Sequence, residues 1–221
     1  MDRSDRRAIH REAITVGSRR LPADRAIPDD PAGVVIFAHG SGSSRLSPRN
    51  RYVAEALNQA GFATLLVDLL TEREAQDRRN VFDIALLASR VVEASHDVGS
   101  ESSLAACPIG LFGASTGAAA ALVAAAELSD GIAAVVSRGG RPDLALPVLH
   151  LVTAPTLLIV GGDDVPVIEM NERALARLEC VARLDIVPGA THLFEEAGTL
   201  DRVIGLAIGW FRAHLGGGGS A

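Results

Sequence analysis

Gly113-Ala114-Ser115-Thr116-Gly117 is the stretch of this chain whose residue types and spacing point most directly to chemistry. Its serine lies between an apolar run at 109–112 and an alanine-rich run at 118–126, the setting of a nucleophile on a sharp strand-to-helix turn. Such a turn forces strained dihedrals on the serine, and flanking glycines keep the neighbouring backbone from colliding. The helix that follows would bring unpaired N–H groups and the positive end of its dipole beside any oxyanion formed there. A serine hydroxyl is a weak nucleophile at neutral pH. It needs a neutral imidazole to take its proton, and a carboxylate to hold that imidazole in the right tautomer. His192, closing Pro188-Gly189-Ala190-Thr191-His192, and the pair Asp163-Asp164, after Val160-Gly161-Gly162, can supply both.

Each of these residues has a plainer reading: a turn serine, an exposed loop histidine, and a cap for the helix expected near Pro166. Their coincidence after three apolar runs, in the order Ser, Asp, His, favours the catalytic reading. Asp164 is preferred to Asp163, because the loop after a strand usually needs several residues to bring a carboxylate to the histidine; Glu169 ranks third. For the oxyanion, the loop His39-Gly40-Ser41-Gly42 offers the N–H of Ser41 to act with that of Thr116. Gly40, Gly42 and Arg138 are candidates for contact with substrate. Arg138 with Arg141 could bind a substrate carboxylate as an arginine fork. His39 is read as a packing residue, and His10, His96, His150 and His214 lack a partner pattern.

These residues need elements to hold them at one edge. Residues 9–21 alternate loosely between apolar and charged, which suits one or two antiparallel edge strands. The runs at 34–38, 62–70, 109–112, 132–136 and 156–160 read as strands covered on both faces, and 183–187 as the last strand. Between them lie helices expected at about 48–60, 81–91, 118–126, 166–179 and 200–215, with 71–79 a surface connection. The segment 138–155 is too short for a folded lid. Regular alternation of strand and helix implies an α/β protein with a mostly parallel central sheet, helices on both faces, and its site at the carboxyl ends of the strands.

Composition narrows the field. At 221 residues with 48% hydrophobic content and a mean hydropathy of +0.24, the chain suits one domain, taken as 1–215, with a Gly/Ser linker-like tail at 216–221. A net charge of -6 argues against nucleic acid or an anionic membrane as partner, and the apolar runs are too short to span a bilayer. All 21 basic residues are arginine, which excludes Schiff-base chemistry, a pyridoxal phosphate anchor, a Ser-Lys dyad and a Walker-type phosphate loop. Cys107 and Cys180 lie in no metal or redox pattern. The charged opening 1–12 has no apolar leader, so a cytoplasmic location is expected.

The motifs HGSGSS at His39, GASTG at Ser115, VGGDD at Val160 and PGATH at Pro188 together resemble the α/β-hydrolase superfamily, and within it the small lidless dienelactone hydrolase-like group, over residues 9–215. The resemblance implies hydrolysis of carboxylic esters or lactones through an acyl-enzyme, without metal or organic cofactor. Dienelactone hydrolases proper carry a cysteine nucleophile where this chain has Ser115, which points to general esterase activity on small soluble esters. Thioesterase, lysophospholipase or lactone hydrolase activity by the same three residues is the alternative, and a non-catalytic ligand-binding role is the rival from another class. A monomer or homodimer is expected.

Overall fold

The computed structural model describes residues 8–216. Except for Gly216, the Gly/Ser tail lies outside them, as do the first seven residues of the charged opening. Eight strands form one sheet in the order β1-β2-β4-β3-β5-β6-β7-β8: β1 (Ile9–Val16), β2 (Leu21–Pro28), β3 (Val34–Ala38), β4 (Ala63–Val67), β5 (Ile109–Ala114), β6 (Ala134–Arg138), β7 (Thr156–Gly161) and β8 (Ala182–Val187). The hairpin β1-β2 and the pair β2-β4 are antiparallel, and every other pair is parallel. This is the arrangement of the α/β-hydrolase fold. The five residues of β3 and of β4 are all buried, as expected for strands covered on both faces.

Helices α1 (Pro48–Gln59) and α7 (Thr199–Leu215) cover one face, where Val53, Leu57, Val203 and Phe211 pack with Phe37 and Phe112 of the sheet. Helices α4 (Ile84–Ser100) and α5 (Thr116–Leu128) cover the other, through Leu87, Val91 and the small side chains of α5. Helix α6 (Val165–Leu175) packs beside β7 and β8, and no described helix is long and apolar enough to cross a membrane.

Three local expectations change. The edge region is two full strands, and the second runs to Pro28 rather than ending near Leu21. Its sequence, LPADRAIP, has little strand propensity; pairing with β1 on one side and β4 on the other imposes the extended state. The connection at 71–79 holds two single-turn helices, α2 (Glu72–Ala75) and α3 (Arg78–Val81), the first closed by a capping box between Thr71 and Glu74. Residues 142–151 are a 3₁₀ segment packed on α5 and α6. Both cysteines are free thiols and half-buried, and burial raises the pKa of each, which keeps them protonated and unreactive.

The close approach of α5 to the sheet depends on Gly117. A Cβ there would run into the backbone carbonyl oxygens of Ala38 and His39, neither of which can swing aside. Gly117→Ala is therefore expected to cost about 3 kcal/mol through overpacking. At roughly 2–4 °C per kcal/mol for a chain of this size, that lowers the thermal midpoint by roughly 6–12 °C. Gly205→Ala in α7, where a Cβ meets nothing within 4 Å, should instead raise it slightly. Scanning calorimetry of both variants checks the contrast.

Candidate active site

All the residues singled out at the sheet's edge follow the carboxyl ends of β3, β5, β6, β7 and β8. Ser115 has φ 51° and ψ −122°, a conformation that side-chain-bearing residues rarely adopt, and it sits between β5 and the first turn of α5. Gly113 and Gly117 permit this turn, since a Cβ at Gly113 would strike the backbone of Ala118. The Ser115 side chain is thereby carried to the wall of a cavity of about 710 Å³, which it shares with Gly40, Ser41, Gly42, Arg138 and His192.

His192 lies in the loop after β8, and its Nδ1 is 2.7 Å from Asp164 Oδ2. A carboxylate can only accept, so Nδ1 carries the hydrogen and Nε2 is left with a free lone pair. Asp164 stands at the N-cap position of α6, yet its side chain makes no capping hydrogen bond. Its carboxylate is turned to the imidazole instead. Asp163 is exposed, with its backbone N–H on Ala190 O at 2.9 Å, and Glu169 is exposed on α6. Neither hydrogen-bonds His192. Nor does the resting Ser115 hydroxyl, which with His192 faces the same open cavity.

The loop after β3 lies directly over the elbow. A Cβ on Gly40 would stand 3.0 Å from both Ala114 O and Ser115 Cβ, and Gly42 has φ +70°. The Ser41 N–H donates to Thr116 Oγ1 at 2.9 Å, so at rest this donor is turned onto the threonine hydroxyl rather than into the cavity. The backbone N–H of Thr116, in the first turn of α5, has no partner among the described residues.

His39 holds this loop. Leu69 N–H donates to its Nε2 at 3.1 Å, which requires that nitrogen to be bare, while Nδ1 faces Gly40 O at 3.0 Å and donates to it. Burial pushes the imidazole below its ordinary 6.5, against the opposing pull of Gly40 O and Asp68. Below that pH the unfolded chain takes up a proton that the folded one declines, so stability falls as the pH drops from 6.5 toward the lowered folded value. Thermal midpoints at about pH 7.5 and about pH 5.5 should show this loss, and His39→Gln should reduce it, leaving the share of His214, whose imidazole burial also pushes below its ordinary value.

Arg138, at the end of β6, pairs in register with Ala114, and its carbonyl accepts the Ser115 N–H at 3.3 Å. The side chain is only 7% exposed and has no carboxylate partner among the described residues. Its Nη2 reaches Asn50 Oδ1 at a long 3.3 Å, its Nε has no partner, and its guanidinium lies 5.9 Å from the Phe194 ring centre. Burial lowers its pKa to about 10, and the nearby charge of Arg49 adds to the shift. Arg141, expected beside it as the second arm of a fork, is instead closed on Asp143 by two 2.8 Å hydrogen bonds. A near neighbour two residues along the chain outcompeted the site.

Two supporting residues carried no sequence signal. Asn50, buried in the first turn of α1, is the one hydrogen-bond partner of the Arg138 side chain among the described residues. Glu196 braces the histidine loop by accepting from Thr191 N at 3.1 Å and from Thr191 Oγ1 at 2.6 Å.

The dienelactone hydrolase family matches residues 21–202. A dienelactone hydrolase from Anabaena variabilis is 54% identical, with 95% of this chain and 99% of that one covered and a TM-score of 0.90. A protein of Mycobacterium tuberculosis named as a phosphoribosyl transferase is 60% identical over 206 residues. That match covers 93% of this chain but 46% of the relative, so the chain spans about half the length of the curated relatives it matches. A dienelactone hydrolase-like promiscuous phosphotriesterase from metagenomic libraries shares 17% identity and a TM-score of 0.78, covers 95% of this chain and 100% of that one, and is similar in fold alone. Fold, likeness over 95% of the chain and family match agree: the chain belongs to the dienelactone hydrolase family.

Proposed function

We infer that this chain hydrolyses carboxylic esters of small, polar substrates through an acyl-enzyme on Ser115. The observation that carries the reading is the 2.7 Å bond from His192 Nδ1 to Asp164, which leaves Nε2 bare at the wall of the cavity that also holds Ser115. In the forward step Nε2 takes the hydroxyl proton as Oγ attacks the ester carbonyl, and Asp164 stabilises the imidazolium that results. The carbonyl π electrons move onto oxygen, and the free Thr116 N–H donates a hydrogen bond to the oxyanion so formed. Ser41 becomes the second donor when its N–H exchanges the threonine hydroxyl for the oxyanion. Collapse of this intermediate expels the alcohol, which takes the proton from His192. Water, deprotonated by the same nitrogen, then attacks the acyl carbon; the bond to Oγ breaks, Oγ takes the proton back from His192, and the acid leaves. Side chains supply nucleophile, base and orienting acid, so the scheme calls for no metal or organic cofactor.

The cavity wall supports a small polar substrate. Serines 41, 43, 44 and 47, with Arg49, Asn50 and Arg138, are nearly half of its lining residues, and the only large apolar side chains among them are Leu46 and Leu193. A long acyl chain would find little apolar surface to bury against, and each methylene left in water forgoes about 0.8 kcal/mol. Turnover of 4-nitrophenyl acetate, butyrate and laurate should therefore fall with acyl length; a preference for laurate refutes the substrate class. The phosphoribosyl transfer in the name of the M. tuberculosis relatives belongs to proteins of which this chain matches 46%. The chemistry of Ser115, His192 and Asp164 does not call for it.

A further inference from the structure

Within the proposed ester-binding cavity, one group is left without a purpose by ester hydrolysis alone. Arg138 is a buried cation with no carboxylate beside it, and its nearest charged neighbour in the cavity is another cation, Arg49. Burying a charge unpaired is unfavourable, so such a site persists where something else supplies the counter-charge. The carboxylate of Glu195, which pairs with Arg49 Nη1 at 2.8 Å, sits out at the rim with 62% of its side chain exposed and does not reach Arg138. Arg49 Nε is itself buried without a partner.

The α1 helix opens on the same cavity. Its 12 residues begin Pro48-Arg49-Asn50-Arg51, with no acidic residue in the first turn to offset the positive end of the dipole. Ser47 caps that end through the Asn50 N–H and Arg51 is paired with Asp24 at 2.9 Å, which leaves Arg49 as the first-turn cation on the cavity wall. The loop before it is fixed in place: Arg45 gives its backbone N–H to Asp68 at 2.7 Å and its Nη1 at 2.6 Å, which ties this wall to the end of β4.

We propose that the cavity beside Ser115 contains a phosphate subsite centred on Arg138 and completed by Arg49 and the serine-bearing loop before α1. The substrate is then a phosphorylated ester, carrying its phosphate close to the scissile bond. The disposition of donors selects phosphate over carboxylate. A planar carboxylate is satisfied by one guanidinium fork, whereas here donors come from a strand end, from the Arg49 side chain and from a serine-bearing loop, which suits a group with three free oxygens. Because Arg138 O accepts the Ser115 N–H, the subsite adjoins the nucleophile and would place the ester relative to it.

This subsite rests on the reading of the cavity as an ester site, so its test is made on protein without the nucleophile. Calorimetric titration of Ser115→Ala with phenyl phosphate and with benzoate compares a tetrahedral with a planar anion on the same ring. Phenyl phosphate is expected to bind at least tenfold more tightly. Adding Arg138→Met, or separately Arg49→Met, should weaken it at least tenfold while leaving benzoate nearly unchanged. Should Arg138→Met not fold, Arg49→Met carries the test, since Arg49 is only half-buried at the helix start. Equal or weaker binding of phenyl phosphate than of benzoate, or affinity insensitive to Arg49 and Arg138, overturns the proposal. Failure of the esterase reading is seen separately, as lack of turnover by the wild-type chain.

Discussion

Ser115→Ala is expected to abolish ester turnover, lowering kcat on the order of 10⁴ to 10⁶-fold, and to end covalent labelling by a fluorophosphonate. Removal of the nucleophile from a Ser-His-Asp set typically costs this much, because the remaining members have nothing to activate. Labelling reads the same residue independently of substrate choice: Oγ forms a bond to phosphorus, fluoride leaves, and the Oγ proton goes to His192. Stability separates a functional serine from a turn serine. At φ 51° and ψ −122° any side chain is strained, so Ser115→Ala should leave the thermal midpoint nearly unchanged. Ser115→Gly, equally inactive, should raise stability by about 1 kcal/mol, or roughly 2–4 °C. A variant that gains stability as it loses all activity means that the strain was retained for chemistry. Persistent labelling of Ser115→Ala would refute the assignment of the nucleophile.

How far the sequence carries depends on whether the deciding interactions are local. The elbow is legible because glycine, serine and glycine at fixed spacing sit between a strand pattern and a helix pattern, and the close approaches that require those glycines lie within a few residues or at the end of β3. Buried parallel strands are legible for the same reason: five consecutive apolar residues have few other places to go. The β2 strand is not, because its extended state is imposed by pairing on both sides, and one of the partners, β4, lies far along the chain. The same distinction runs through the site. Asp164 and Asp163 are adjacent and chemically identical, and what separates them is the direction each side chain takes from the start of α6. The Ser41 to Thr116 hydrogen bond spans 75 residues, and the contact of Arg138 with Asn50 spans 88, so neither the resting state of the oxyanion loop nor the isolation of Arg138 could be read from spacing. Arg141 failed as its companion for a local reason: Asp143, two residues away, offered a planar partner at once.

Asp164→Asn should lower kcat about 10⁴-fold, the effect expected when an orienting carboxylate becomes an amide and the imidazole loses both its tautomer preference and the compensating charge. The substitution is informative because Asp164 occupies two roles on paper. As the residue preceding α6 it could be a helix cap, and asparagine caps a helix as well as aspartate does. Asp164→Asn therefore leaves a capping function intact and removes only the charge facing His192 Nδ1. If the residue were a cap and nothing more, activity and thermal midpoint would both match the wild type. If it orients the imidazole, activity falls by orders of magnitude while the midpoint changes little, and added acetate has no geometry from which to restore it. Asp163→Asn supplies the control: its side chain is exposed and makes no hydrogen bond to the imidazole, so its kcat should stay within about threefold of wild type, a change in barrier under 1 kcal/mol. A large loss in Asp163→Asn with Asp164→Asn fully active would transfer the orienting role by one residue and require the loop after β7 to rearrange when substrate binds.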